Sequence, residues 1–175
     1  MISSLSSKVG ASPLLGRRQR MPCRLNRSIV APRALAIPDA YGYVAGSVAF
    51  TALMTQYLAV KVAIARRQYQ VPYPAMYAEG KSGDANTFNC VQRAHQNALE
   101  YLPNVLALQI VMGLKFPLTA AVLGVGWSIG RLVYAAGYSS GDPSKRAPGS
   151  ALAGILYLAL IGGAGYAGVL MSLNF

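Results

Sequence analysis

From Ala40 to Val60 the chain runs for 21 residues without a formal charge. That is the length an α-helix needs to cross the ~30 Å hydrocarbon core of a bilayer. Two further runs behave the same way: Phe116 to Tyr138, apolar apart from Arg131, and Ala147 to Phe175, with no charge at all. A fourth stretch, Ala85–Leu114, is apolar only in its second half, from Tyr101 onward. Tyr41 and Tyr43 stand at one rim of the first run, where aromatic rings favour the membrane interface, and Lys61, Arg66 and Arg67 close its other end. Pro117 opens the third run and Gly141-Asp142-Pro143 ends it, both helix-breaking signals. No stretch alternates with the period of two that a membrane β-strand requires. The expected fold is an all-α membrane protein, a four-helix transmembrane bundle with one long and two short connections.

Charge sorts the remaining possibilities. Only 12% of residues are charged, about half the ~25% of soluble domains, which argues against a soluble enzyme and against a disordered chain. The net charge of +11 is unevenly spread: residues 1–35 hold seven of the sixteen basic side chains and none of the five acids, leaving nine bases against five acids elsewhere. Nucleic acid is therefore not the expected partner. Residues 1–36, rich in Ser and Arg and broken by Pro13, Pro22 and Pro32, have the composition of an organelle transit peptide, with a plastid favoured over a mitochondrion. Retention of this leader would instead fit the endoplasmic reticulum. Residues 37–175 form the membrane domain. Two cysteines, Cys23 and Cys90, build no disulfide framework, and no Cys/His cluster has metal-ligand spacing, so no metal is expected.

The last two runs are rich in glycine (Gly124, Gly126, Gly130, Gly154, Gly162, Gly163, Gly165, Gly168). Small residues let membrane helices approach closely, so these positions are expected at helix contacts and in a homo-oligomer. If all four helices cross, the first and third connections share a side and carry Lys61, Arg66, Arg67, Lys81, Lys145 and Arg146, against Lys115 alone on the other. The positive-inside rule puts that basic side in the cytosol, stroma or matrix.

Polar residues inside the apolar runs carry the functional signal. Arg93, Asn97 and Glu100 follow i, i+4, i+7, one stripe of a helix, and Arg131, Tyr134 and Tyr138 follow i, i+3, i+7 on the next. A charge in the membrane costs at least ~2.5–3.5 kcal/mol on insertion scales, so each stripe needs a partner or a wet cavity. One reading is an internal ion pair, Arg93 or Arg131 with Glu100. The other is an anion pocket: with Arg66, Arg67, Lys145 and Arg146 at the same rim, one carboxylate cannot neutralise the cations. Arginine binds carboxylates through two parallel hydrogen bonds, so a small polycarboxylate suits such a pocket. No Gly-rich phosphate loop is present. His95, the sole histidine, and Cys90 read as structural.

The segment Arg93 to Pro103 (RAHQNALEYLP) resembles the MAPEG superfamily, membrane-associated proteins of eicosanoid and glutathione metabolism. ARRQYQVPYPAMY (65–77), FNCVQRAHQN (88–97) and GRLVYAAGYSSGDPSKR (130–146) follow in the family's order, most like its microsomal glutathione transferase 3 branch. The likeness covers about residues 40–172 and leaves out the leader. It implies a homotrimer of four-helix protomers with glutathione, the co-substrate, between subunits. The implied chemistry is conjugation to lipophilic electrophiles and reduction of lipid hydroperoxides. It further implies that Arg66, Arg93, Asn97, Glu100, Tyr101, Tyr134 and Tyr138 hold glutathione, that Arg146 stabilises the thiolate, and that Arg67 donates a proton. The segment after the third helix is one residue longer than in the leukotriene-C synthases, which makes Lys145 a rival to Arg146. A non-catalytic lipid-binding adaptor and a small structural subunit of a membrane complex remain as alternatives.

Overall fold

The computed structural model describes residues 37–80 and 82–173. The leader (1–36), Lys81 and the last two residues lie outside the described residues. Four helices follow one another: α1 (Gly42–Gln68), α2 (Gly83–Gly113), α3 (Pro117–Tyr138) and α4 (Ala147–Leu173). Short 3-10 turns, Asp39–Tyr41 and Pro143–Arg146, lead into α1 and α4. Among the described residues there is no strand.

The helix ends follow from local chemistry. Pro117 occupies the first position of α3, where its missing N–H would have had no intrahelical partner. Past the end of α3, Gly141 takes φ +82°, a left-handed conformation that a side chain resists, and turns the chain back towards α4. Asp142 Oδ1 then accepts from the backbone N–H and the hydroxyl of Ser144, at 2.9 and 2.7 Å, capping the turn that carries Lys145 and Arg146. These two bonds hold the exposed Asp142 carboxyl below its ordinary pKa.

α2 and α3 each pack against the other three helices. Half of the apolar window of α3 is buried (50%), against 22% for α1 and 17% for the helix ending at Leu173, so α3 is the inner helix and the other two face outward. Trp127, Leu160, Val44 and Val105 fill the interior, with alanines where backbones approach. Gly130 and Gly149 hold α3 and α4 together: a Cβ on Gly130 would meet the Ala153 backbone at 2.9 Å, and one on Gly149 would run into the Tyr134 backbone. Of the eight glycines expected at contacts, Gly124, Gly126, Gly130 and Gly163 do pack within the protomer. Gly154, Gly162, Gly165 and Gly168 have open space beyond them.

Among the described residues, three helices are long and apolar enough to cross a membrane: Asp39–Gln68, Pro117–Tyr138 and Pro143–Leu173. α2 is helical over its whole length but is not among them, because its first half carries Asp84, Asn86, Asn89, Gln92, Arg93 and Glu100. The first and third connections share one end of the bundle, as expected of four helices that run up and down in turn: Asn86 Nδ2 donates to the Gly141 carbonyl at 2.7 Å.

Candidate functional site

The stripe on α2 and the stripe on α3 meet. Arg93 Nη1 pairs with Glu100 Oε1 at 3.0 Å, Asn97 Nδ2 donates to Glu100 Oε2 at 3.1 Å, and Arg131 Nη2 of α3 donates to Asn97 Oδ1 at 2.5 Å. The four side chains form one relay, from a half-exposed end at Arg93 and Glu100 (42% and 43% exposed) to an interior end at Arg131 (4%). The ion pair expected on one reading is therefore present, but on an open face. It also uses the one carboxylate of the cluster, so among the described residues Arg131 has no ion pair of its own.

Aromatic rings enclose the interior end. The Arg131 guanidinium lies 4.4 Å from the Tyr134 ring centre, 5.6 Å from Tyr101 and 5.8 Å from Trp127. Ring faces attract cations, most strongly when desolvated. A cavity of about 270 Å³ opens beside Asn97, Tyr101, Arg131 and Tyr157. Tyr134 packs edge to face on Tyr138, ring centres 5.5 Å apart, and Arg146 lies 5.0 Å from the centre of the Tyr138 ring. Gly137 makes that approach possible, since a Cβ there would strike the Lys145 carbonyl. Of the two rival cations, Arg146 exerts its charge on Tyr134 and Cys90, whereas Lys145 acts on Asp142.

A second polar groove, of about 390 Å³, lies between Arg93, Cys90 and Tyr138 on the helices and Tyr77 and Pro143 on the connections. The first connection is pinned over it by Asn89, whose side-chain amide accepts from the Ala78 N–H at 2.8 Å and donates to the Ala78 carbonyl at 3.0 Å. Tyr77 then donates to Gln96 Oε1. Sequence reasoning singled out neither Asn89 nor Tyr77. The signal was Asn89 lying one turn before Arg93 on the same face.

Arg66 and Arg67 stand apart from this cluster within the protomer. Arg66 is 9% exposed, donates from Nη1 to the carbonyls of Ala75 (2.6 Å) and Val71 (3.3 Å), and stacks over Tyr73 at 4.5 Å. It organises the first connection. Arg67 is exposed, and both line a separate groove with Gln70, Pro72 and Tyr73. Tyr101 is 39% exposed and packs edge to face on Tyr157 of α4, linking the stripe to the last helix.

Among the described residues no group of three or more His, Cys, Asp or Glu could hold a metal ion. The arrangement is that of an integral membrane protein with apolar outer helices and a cation-rich polar cleft near one end. The model of the MAPEG family matches residues 44–166, and the chain belongs to that family.

Proposed function

We propose that this protein is a membrane-bound glutathione transferase and peroxidase, four-spanning and homotrimeric, of the microsomal glutathione transferase 3 branch. The observation that carries this reading is the relay and its charge balance. Arg93, Arg131 and Arg146 converge on two tyrosines with Glu100 as their single carboxylate, which suits a ligand with two carboxylates and one ammonium. Glutathione has that pattern. Arg93 and Asn97 would hold its carboxylates, Glu100 its ammonium, and Tyr101, Tyr134 and Tyr138 would wall the peptide.

Arg146, over the Tyr138 ring, is the cation favoured to stabilise the thiolate, ahead of Lys145, whose backbone rather than whose charge lies against α3. A neighbouring guanidinium lowers a thiol's pKa from about 8.5, and the thiolate is the nucleophile. Attack on an electrophilic carbon gives a thioether and expels the leaving group. Attack on a hydroperoxide oxygen releases the alcohol, and a second glutathione completes the disulfide with loss of water. Arg66 and Arg67 sit on their own groove, so their service as cradle and proton donor would be to a neighbouring protomer, which favours a site between subunits. The lipophilic substrate would arrive from the bilayer. The leader is read as a transit peptide to an organelle membrane, a plastid first.

Calorimetric titration of the detergent-solubilised protein with glutathione should show binding, and the protein should consume glutathione with 1-chloro-2,4-dinitrobenzene or a lipid hydroperoxide. Arg146→Ala should abolish the thiolate absorbance that appears on glutathione binding. Full thiolate signal in that variant would transfer the role to another group, with Lys145→Ala the next to measure.

A further inference from the structure

The relay contains one residue to which the glutathione reading gives a charge but no contact with the peptide. Arg131 is 4% exposed, and its buried Nε has no hydrogen-bond partner among the described residues. Its charge sits among Tyr134, Tyr101 and Trp127, and its one side-chain contact with the stripe is the 2.5 Å bond from Nη2 to Asn97 Oδ1. A buried guanidinium in an apolar helix is costly to keep, and a bond this short to a neutral amide is a charge-assisted one.

We propose that Arg131 is a positioning residue, which acts on the ligand only through Asn97. A side-chain amide can face either way, oxygen or nitrogen first. A fixed cation behind Asn97 holds the oxygen inward and so turns Nδ2 outward, onto Glu100 Oε2. Glu100 then has one oxygen on Asn97 and the other on Arg93, with a fixed carboxylate plane. Each carboxylate oxygen keeps a further lone pair for an incoming ammonium. Without Arg131 the Asn97 amide is free to turn over. An inverted Asn97 would present its oxygen to Glu100, two acceptors in opposition, and the carboxylate would swing away. The chemical class selected is therefore a ligand that brings an ammonium group to Glu100 and a carboxylate to Arg93, an α-amino acid terminus. This inference rests on the glutathione reading and adds to it a residue that never touches the peptide.

The test is a double-mutant cycle on the full-length protein, with Asn97→Ala, Arg131→Gln and the pair, read as the glutathione dissociation constant. Action through Asn97 predicts that Arg131→Gln weakens binding about tenfold or more. It also predicts that adding it to Asn97→Ala costs nothing further. γ-Glutamyl-cysteine analogues lacking the α-amino group should lose less affinity than glutathione does on Arg131→Gln, because they never make the contact to Glu100. Should Arg131→Gln not be recovered folded, Arg131→Lys keeps the charge and one donor, and the same cycle is run with it. Losses that add across the cycle, in a protein whose wild type binds glutathione, would overturn the positioning role alone. A wild type that binds no glutathione would remove the reading beneath it as well.

Discussion

The Ser47–Thr51–Gln109–Ser128 cluster and the Arg93–Asn97–Glu100–Arg131 relay both place polar groups among apolar helices, and they are built to different ends. The first is neutral and closed. Its members are 0–3% exposed, Thr51 and Ser128 share a bond of 2.9 Å, Ser47 Oγ donates to the Ala121 carbonyl at 3.1 Å, and Gln109 Nε2 donates to Ser47. It ties α1, α2 and α3 together. The second is charged and graded, sealed at Arg131 and open at Arg93 and Glu100. The closed cluster turns its hydrogen bonds into the bundle, leaving only the buried Gln109 Oε1 without a partner among the described residues. An open one leaves polar groups facing outward, and that difference separates glue from a candidate binding surface.

The contrast can be broken from either side. Arg93→Ala should cost glutathione affinity roughly 100-fold, the scale of a lost hydrogen bond between charged groups. It should leave the thermal midpoint nearly unmoved, since an exposed ion pair contributes about 0–1 kcal/mol. Titration and a melting curve on the same preparation check both halves. Gln109→Ala should do the reverse: a loss of about 2 kcal/mol in stability from the cavity it leaves, with affinity within a factor of about two. Thr51→Val should cost about 0.6 kcal/mol, the average for an interhelical hydrogen bond in a membrane protein, measured by unfolding in mixed micelles.

The smallest effect concerns pH. The folded Asp142 pKa is depressed, so its bonds to Ser144 stabilise the turn fully above the ordinary Asp value near 3.8 and are lost as pH falls through the lower folded value. Acidification through that window should loosen the turn carrying Arg146, and Asp142→Asn should flatten the dependence, as followed by proteolysis of the turn between α3 and α4.

Much of this was legible in the sequence because the governing signals are local. Charge-free runs, Pro117 and Gly141-Asp142-Pro143 mark helices and their ends, and the i, i+4, i+7 spacing puts Arg93, Asn97 and Glu100 on one face. The meeting of that stripe with Arg131 was not legible, since it depends on how α2 and α3 are rotated against each other. Gln109 carries no signal of its own in the sequence, because its role depends on Ser47 and Gly124 lying beside it in the folded bundle. α4 is apolar on every side, so periodicity could not say that Gly163 meets Met112 while Gly162 meets nothing. Arg66 reads as one more rim cation, and only the fold of the first connection shows its guanidinium committed to Ala75 and Val71.

The hydrogen atom that serves as the side chain of Gly137 sets the reach of Arg146. An alanine there would lift the Lys145 carbonyl off α3, and the following guanidinium, riding the same short turn, would rise with it. A methyl group's width would then decide how far a positive charge stands from the face of the Tyr138 ring.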